Sequence, residues 1–466
     1  MTLVNLRDDK NSYYKLQILQ DDHSANVFHV YRGWGRIGTA HGTAKVERLS
    51  KESAKASFET LFYEKTANHW SARATFVKQP KCYNFTPQDY QAAGAKSNVA
   101  AGSKSKLEAP VQELINLIYD EDMLKQSMKE MEIDLTKMPL GAISKRAISD
   151  AFGELRELEA ALQDASLDDA AKLKLIKAHT TRFYAKIPHD HGRNQAPLID
   201  TLEGLKAKIE LLENLLAIEM VTRAIKQEDD AVDLEEDPLD TKYNALNAKM
   251  TPLDRDSEEF AMIKKYTVNT HAATHSNYKL KIENIFTVKR KGEKKQYNEK
   301  SAAIHNKRLL WHGSRLSNWV GILKEGLRIA PPEAPCTGYM FGKGVYFADM
   351  VSKSANYCFA SQDSPQGLLM LSEVALGNMY ERMAADYIEK LPDGTHSCFG
   401  VGQTMPSKRD MHVTDDGVTV PFGKAQKSGV TASSLLYNEY IVYDTAQIRQ
   451  KYLIQVTFEF GRHQHY

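Results

Sequence analysis

The chain has 466 residues, of which 42% are hydrophobic and 26% are charged. This length predicts two to four domains, and the ordinary composition excludes a wholly disordered protein. No apolar run approaches the roughly 18 residues of a membrane helix. The N-terminus carries charge early and has no apolar signal-peptide core, so we expect no signal peptide there. The four cysteines are far apart and none forms a C-x-x-C pair, so we expect a reduced intracellular protein without a zinc ribbon or disulfide scaffold.

The net charge of +1 hides an uneven distribution of charge along the chain. Residues 1–107 carry a net charge of +7, residues 108–240 carry −13, and residues 241–466 carry +7. A basic N-terminal unit beside an acidic middle suggests that different regions meet different partners. Solvated surfaces of unequal sign explain the same numbers equally well.

The N-terminal part of the chain predicts a small strand-rich unit. Residues 1–90 contain segments rich in aromatic and β-branched residues with glycine punctuation. A helix is predicted from Lys51 to Trp70, because apolar residues recur there at helical spacing. Residues 91–107 hold almost no large apolar side chains and predict a flexible linker.

The rest of the chain changes character twice. Residues 108–226 repeat apolar residues at helical spacing and predict an all-helical domain. Residues 227–238 form an acidic connector that ends at a proline. Residues 239–466 return to short apolar runs between turn signals, which predicts a strand-dominated α+β domain.

A glycine-rich segment, GWGRIG at 33–38, formally matches the dinucleotide fingerprint G-x-G-x-x-G. That fingerprint needs a helix directly after the turn, and the following TAHGTAKV lacks helical periodicity. A tryptophan between glycines and beside an arginine suits another purpose, since Trp34 can stack on a base or sugar and Arg36 can reach a phosphate. A core tryptophan on a tight turn is the structural alternative.

Two other patterns favour structural interpretations. The basic run at 289–295 fits a nuclear signal or a nucleic-acid patch, but its position between strand-like segments favours a solvated hairpin turn. His271 and His275 have metal-ligand spacing, yet no third ligand is apparent. We therefore expect structural histidines.

The segment from Leu309 to Tyr357 is the richest in chemistry. An apolar strand ends in His312-Gly313-Ser314, and a loop rich in proline and glycine at 331–344 has the composition of a lid over a site. Tyr346 and Tyr357 then supply two aromatic faces around Ser354, enough to hold a flat polar ring.

Glu439 lies far downstream, in the middle of the apolar segment SLLYNEYIVYD. Such a setting is unusual for an acidic side chain without a task. The residues alone predict a pocket for a flat polar ring with one catalytic carboxylate. A packed core with a hydrogen-bonded glutamate stays open as the alternative.

Several segments together resemble one family, the DNA-dependent poly(ADP-ribose) polymerases of the compact type without zinc fingers. The segments are GWGR at 33–36, KMPLGAISKRAI at 137–148, FYAKIPHDHG at 183–192, LLWHGSR at 309–315, GVYFADMVSKSANY at 344–357 and SLLYNEYIVYD at 434–444. The resemblance implies a multidomain fold: a small β-rich WGR domain at 1–90, an all-α autoinhibitory regulatory domain at 108–226, and an α+β ADP-ribosyltransferase split sheet at 239–466. It also implies that NAD⁺ is a substrate, with no other cofactor and no metal.

The resemblance also implies roles for individual residues. His312 is similar to the histidine that binds the adenosine-side ribose, Gly313 and Ser354 to the clamp on the nicotinamide carboxamide, and Tyr346 and Tyr357 to the tyrosines that stack on the ring. The implied catalytic residues are Glu439, His312 and Tyr346; the implied NAD-binding residues are His312, Gly313, Ser314, Arg328, Tyr346, Ser354 and Tyr357; Met340 lines the acceptor subsite, and Trp34 and Arg36 bind DNA.

The implied activity is transfer of ADP-ribose from NAD⁺ to proteins and to growing poly(ADP-ribose), activated by DNA breaks. Implied partners are broken or nicked DNA, protein acceptors including the chain itself and histones, and an accessory protein that completes the site for serine modification; no membrane is involved. The implied location is the nucleus in a eukaryote and otherwise the cytoplasm near the nucleoid. Two alternatives remain: a mono-ADP-ribosyltransferase, whose relatives usually lack the glutamate at position 439, and a non-enzymatic scaffold that binds DNA breaks.

Overall fold

A computed structural model of the protein describes residues 1–6, 8–21, 24–39, 42–86, 105–133, 135, 144–229 and 237–461, with 225–229 described by their backbone. Two compact units emerge. The first comprises Met1–Lys96, Leu124–Thr222 and Pro332–Gly338, and the second comprises Ser97–Met123, Arg223–Pro331 and Tyr339–Tyr466. Most of the predicted linker at 91–107, part of the predicted connector at 227–238 and residues 137–143 lie outside the described residues.

The helices and strands are numbered here along the chain. The strands are β1 (Thr2–Asn5), β2 (Lys10–Asp21), β3 (Ser24–Arg36), β4 (Gly42–Leu49), β5 (Ala248–Pro252), β6 (Tyr278–Arg290), β7 (Lys307–Ser314), β8 (Val345–Phe347), β9 (Gln366–Ala375), β10 (Met379–Arg382), β11 (Ser397–Gly400), β12 (Thr404–Pro406), β13 (His412–Val413), β14 (Thr419–Val420), β15 (Ala425–Lys427), β16 (Glu439–Val442) and β17 (Ile448–Phe460). The helices are α1 (Lys51–Thr66), α2 (Ala109–Ile118), α3 (Glu121–Glu130), α4 (Lys145–Gln163), α5 (Asp169–Lys186), α6 (Leu202–Asp229), α7 (Pro238–Ala245), α8 (Glu258–Asn269), α9 (Glu293–Lys300), α10 (Trp319–Glu325) and α11 (Val351–Ala355).

The first unit begins with a four-stranded antiparallel sheet in the order β1-β2-β3-β4. Helix α1 packs on it through buried residues that include Ala54 and Leu61, which contact Val30 of β3. The helix ends at Thr66 rather than at the predicted Trp70, because Ala67 takes the left-handed conformation that caps a helix C-terminus. The strand-rich N-terminal region is confirmed.

The helical part of the first unit packs α4 against α5. Their apolar faces bury residues such as Phe152, Leu155 and Phe183, as the helical spacing predicted. Hydrogen bonds from side chains also tie this part to the N-terminal strands within the same unit: the Thr2 hydroxyl donates to the Ala185 carbonyl. The helical middle of the chain is confirmed.

The second unit contains a seven-stranded sheet in the order β13-β14-β7-β9-β17-β6-β5 and a four-stranded sheet in the order β10-β11-β16-β8. Two backbone hydrogen bonds between Trp311 of β7 and Ala348, 2.9 and 3.0 Å long, join the two sheets. The result is the split sheet that the resemblance implied. Helix α2, inside the range predicted as helical, also belongs to this unit and contacts α7 and β5.

The basic run at 289–295 does not form the predicted hairpin turn. Strand β6 ends at Arg290, and helix α9 begins at Glu293. Gly292 makes this change of direction with a positive φ of 81°, a conformation that glycine adopts without strain. The run therefore joins a strand to a helix. Across the described residues, no helix is long and apolar enough to cross a membrane.

Candidate active site and DNA-contact residues

His312 lies near the end of β7, where the strand meets β8 of the other sheet. Its Nδ1 lies 2.9 Å from the carbonyl oxygen of Tyr346. A carbonyl can only accept a hydrogen bond, so Nδ1 carries the proton and Nε2 is left as an acceptor. Burial lowers the pKa of His312 below the ordinary histidine value, and the Tyr346 carbonyl opposes this only in part. A neutral imidazole with a free acceptor nitrogen suits a ligand hydroxyl.

Gly313 comes next in β7 and lies against the backbone of Ser354. A Cβ atom at position 313 would stand 1.9 Å from the Ser354 carbonyl oxygen, a distance that no side chain tolerates. The Ser354 hydroxyl donates to the Trp311 carbonyl at 3.1 Å, which leaves its lone pairs as acceptors. Close backbone approach and a fixed hydroxyl make a compact polar clamp for an amide.

Two tyrosines flank this clamp along the chain. The Tyr346 hydroxyl donates to the Gly342 carbonyl at 2.7 Å and accepts from the Phe341 amide at 3.0 Å, which fixes its ring against the loop that ends at residue 344. Burial raises the pKa of Tyr346 above the ordinary tyrosine value, so the phenol stays neutral. Tyr357 is 54% exposed, and its aromatic ring is of the type that stacks on a flat ligand.

Glu439 is the first residue of β16, and its carboxylate forms an ion pair with Lys353. The Lys353 Nζ lies 2.6 Å from Glu439 Oε1, and both side chains are about 15% exposed. The same ammonium donates to the carbonyls of Tyr437 and Asn438 at 3.2 and 3.3 Å. Burial lowers the pKa of Lys353, and the Glu439 carboxylate opposes that shift. The lysine thus holds a largely buried carboxylate in a defined orientation.

The strand register relates these residues to one another. Strand β16 pairs with β8 so that Ile441 lies opposite Tyr346. Ile441 and Glu439 are two positions apart, so their side chains leave the strand on the same face. Since His312 bonds to the Tyr346 backbone, the three residues of the predicted catalytic set are carried by adjoining strands.

The remaining predicted residues occupy more varied places. Ser314 ends β7, and its hydroxyl accepts from the Asn318 side chain at 2.8 Å. The Met340 side chain packs against the cluster that contains Phe341 and Leu435. Arg328 follows α10 on the surface and pairs with Glu325 at 3.3 Å. Its adenine-side role stays a prediction.

Trp34 lies in β3 of the first unit, where its ring stacks on Tyr14 with centroids 5.9 Å apart. The two residues are directly opposite in the register of β2 and β3. The glycines around Trp34 therefore belong to a strand rather than to a strand–helix turn, which excludes the dinucleotide fingerprint at this segment. Trp34 is half-buried.

Arg36 ends β3 and makes contacts inside the first unit. Its guanidinium donates to the carbonyl and the carboxylate of Asp9 at 3.1 and 3.0 Å, and to the Asn194 carbonyl at 3.4 Å. These bonds connect the N-terminal sheet with the loop that precedes α6. They favour a role in holding the unit together over a free phosphate contact.

The histidines of the HAATH segment have structural hydrogen bonds. His271 Nε2 lies 2.9 Å from the His275 carbonyl. His275 contacts the Ser352 hydroxyl at 2.9 Å and the Asn356 side chain at 3.0 Å. These hydrogen bonds support the structural role that the sequence predicted, which stays a prediction. Within the described part of the chain, no group of three or more His, Cys, Asp or Glu side chains could hold a metal ion.

Three family profiles match the chain in the same order as the predicted regions. They are the WGR domain over residues 1–77, the poly(ADP-ribose) polymerase regulatory domain over 105–243, and the poly(ADP-ribose) polymerase catalytic domain over 257–458. The domain boundaries given above stay predictions.

Curated relatives share these regions over nearly the whole chain. Poly [ADP-ribose] polymerase 1 of Gallus gallus is 48% identical over 98% of this chain and 45% of its own length. Poly [ADP-ribose] polymerase of Drosophila melanogaster is 45% identical over 98% of this chain and 46% of its own length. Poly [ADP-ribose] polymerase 2-A of Oryza sativa subsp. japonica is 44% identical over 99% of this chain and 70% of its own length.

The chain belongs to the poly(ADP-ribose) polymerase family. It spans about half the length of several of the curated relatives that it matches, and about two thirds of others.

Sequence reasoning missed two residues that the structure places at the site. Lys353 pairs with Glu439, and Asp349, which is 2% exposed, accepts hydrogen bonds from Asn438 and Tyr440 on either side of Glu439. Both lie in the segment ADMVSKSA, where they are four positions apart at the start of a short helix. An aspartate directly after the apolar segment VYFA is a sequence signal that could have drawn attention to Asp349.

Proposed function

We propose that this protein is a DNA-break-activated poly(ADP-ribose) polymerase that releases nicotinamide from NAD⁺. The observation that carries the proposal is the Lys353-held carboxylate of Glu439 on the strand next to Tyr346 and His312. That arrangement supports the proposal, because these are the side chains expected to carry out ADP-ribosyl transfer. The family relatives support the same conclusion through their names.

The chemistry follows from the charges of the reacting groups. The bond between nicotinamide and the ribose carbon breaks, its electron pair stays with nicotinamide, and positive charge builds on the ribose, as in glycoside hydrolysis. The Glu439 carboxylate stabilises that charge electrostatically. The acceptor hydroxyl then bonds to the ribose carbon and gives up its proton to Glu439, which acts as the general base.

The other predicted residues bind and orient NAD⁺ in this proposal. His312 Nε2 accepts from a ribose hydroxyl, Gly313 and Ser354 hold the nicotinamide amide, and the Tyr357 ring stacks on it. These contacts hold the leaving group in a reactive orientation, which reduces the entropic part of the barrier. Met340 lines the place of the acceptor.

The proposed partners and location follow from the family. Trp34 stacks at a DNA break, and the helical region of the first unit restrains activity until DNA binds. Protein acceptors include the chain itself and histones, and an accessory protein completes the site when serine is the acceptor. The proposed location is the nucleus in a eukaryotic host.

One experiment tests the proposal. The purified chain is incubated with labelled NAD⁺, with and without a nicked or broken duplex, and the products are separated by size. We expect ladders that depend on DNA. A single shifted band would indicate mono-ADP-ribosylation, and no label would leave only a DNA-binding scaffold; either result contradicts the proposal.

A further inference from the structure

Asp349 is a buried carboxylate that no step of the proposed chemistry uses. It follows β8 and precedes α11, and it is 2% exposed. A carboxyl group so far from water needs hydrogen-bond partners, because burying an unpaired polar group is strongly unfavourable. Its partners therefore indicate what it does.

Both partners are neighbours of Glu439. Asp349 Oδ2 accepts from the Asn438 side-chain amide at 2.7 Å and from the Tyr440 hydroxyl at 2.9 Å. Glu439 lies between these two residues, and its own side chain reaches Lys353 instead. The buried Oδ2 of Asp349 thus fixes the side chains of the two residues on either side of Glu439.

Each partner has a further bond of its own. Asn438 Oδ1 accepts from the Gly402 amide at 2.8 Å, and the Tyr440 hydroxyl accepts from Arg308 at 2.9 Å. Neither side chain can turn away from Asp349 without breaking a second contact. The backbone of Glu439 is therefore held between two anchored residues.

We infer that Asp349 is a positioning residue for Glu439, acting through Asn438 and Tyr440. This inference rests on the proposed function, because it assigns Glu439 to the chemistry. Lys353 orients the Glu439 carboxylate, and Asp349 fixes the position of the Glu439 backbone through the two neighbouring residues.

The role depends on hydrogen-bond acceptance and not on charge. Both bonds go to Oδ2, and among the described residues no partner reaches the buried Oδ1. An asparagine can place its amide oxygen at the Oδ2 position and its NH₂ where no bond is lost. Burial also raises the pKa of Asp349, in keeping with a site that gains little from a negative charge.

The test compares Asp349→Asn with Asp349→Leu in the full chain, saturated with a broken duplex. Nicotinamide release gives kcat and KM for NAD⁺. Misplacing a reacting group by about 1 Å costs on the order of 100-fold, so we expect Asp349→Leu to lose roughly that factor in kcat with KM changed less than about threefold. We expect Asp349→Asn to recover most of the turnover.

Asn438→Ala and Tyr440→Phe provide a second test of the same inference in case Asp349→Leu does not fold. Each removes one of the two bonds to Oδ2, so each should lower kcat, and the double variant should lower it further at unchanged KM. Glu373→Leu is the matched control, because Glu373 is a buried carboxylate of the same unit that pairs with Arg449 at 3.3 Å. It should lower the melting temperature and leave kcat unchanged.

The outcomes separate this inference from the proposed function. Wild-type kcat in a folded Asp349→Leu variant, or in the Asn438→Ala, Tyr440→Phe double variant, overturns the inference alone. An Asp349→Asn variant as slow as Asp349→Leu shows that charge matters and also overturns it. A wild-type chain that releases no nicotinamide refutes the proposed function, and the inference with it.

Discussion

Glu159 is a buried carboxylate of α4, and its contacts predict how the proposed restraint on activity is released. It is 7% exposed, and its oxygens accept from the Cys336 amide at 3.0 Å and from the amide and hydroxyl of Thr337 at 2.5 Å each. Residues 332–338 form the first part of the predicted lid and belong to the first unit together with α4. The carboxylate therefore holds this part of the lid to the helical region.

Glu159→Gln is the mildest change that weakens this hold. The amide oxygen of the new side chain can keep the two bonds from Thr337, but its NH₂ then faces the Cys336 amide, where two donors oppose each other. Hydrogen bonds to charged groups are worth about 1.5–3 kcal/mol. Because about 1.4 kcal/mol is a factor of ten, the balance between held and released lid should shift roughly 10- to 150-fold.

The assay is nicotinamide release from NAD⁺ without DNA. We expect Glu159→Gln to raise this basal rate severalfold or more, up to the rate of the DNA-saturated wild type, which should itself be unchanged. Amide hydrogen exchange at Cys336 and Thr337 should also become faster, since both amides lose a fixed acceptor.

The matched control is Glu157→Gln, which neutralises an exposed glutamate of the same helix. It should leave both the basal rate and the exchange of the lid amides at wild-type values. A folded Glu159→Gln protein that shows wild-type basal activity and wild-type exchange would refute the reasoning.

Further predictions concern DNA, catalysis and pH. Trp34→Ala should lose a stacking contact worth roughly 1–3 kcal/mol, measured as weaker binding of a broken duplex; equal binding would contradict its role. Glu439→Gln should bind NAD⁺ nearly normally but make no long polymer, with a loss of about 10²- to 10⁴-fold in rate on a sizing gel, whereas His312→Ala should raise KM for NAD⁺. Burial raises the pKa of Glu154, but hydrogen bonds from a histidine and an arginine of α5 outweigh it and lower the pKa to about 2. The Glu154 carboxylate therefore stabilises the helical region above about pH 4.5, and this stabilisation is lost as the pH falls toward 2. The free energy of unfolding, measured by urea titration, should lose this acid dependence in Glu154→Gln. The control Glu210→Gln, which changes an exposed glutamate, should keep it.

Much of the fold was predictable because the local spacing of apolar residues indicates its helices and strands. The buried face of α2, which includes Leu114 and Ile118, follows the helical spacing seen in the sequence. The end of α1 was harder to predict from the sequence. Ala67 takes the left-handed C-cap conformation, but alanine is not a residue type that usually marks a C-cap. The start of α9 was missed for a similar reason: a glycine among lysines fits a hairpin turn and a helix start equally well.

The site was predictable only in part, because its residues differ in how they are held. Gly313 and Ser354 are recognisable since their types follow from their chemistry, a backbone that approaches closely and a hydroxyl that binds an amide. Arg36 shows the opposite case. Its type suits a phosphate, but the structure gives its guanidinium to Asp9 and to the Asn194 carbonyl. Residue type limits what a side chain can bind, and only the fold decides which partner it meets.

The residues that support Glu439 explain why the sequence points to the carboxylate and not to its surroundings. Glu439 is conspicuous because it interrupts an apolar strand, whereas Lys353 and Asp349 lie some 86 and 90 positions earlier in an ordinary-looking helix start. The pairing of β16 with β8 brings the two segments together, and that pairing is a long-range property of the sheet. A carboxylate held by a lysine on one side, and by neighbours anchored to a buried aspartate on the other, has little freedom left to lose when a substrate arrives. In the proposed mechanism such preorganisation lowers the barrier more than the carboxylate could lower it alone, and side chains that never touch the substrate contribute to that effect.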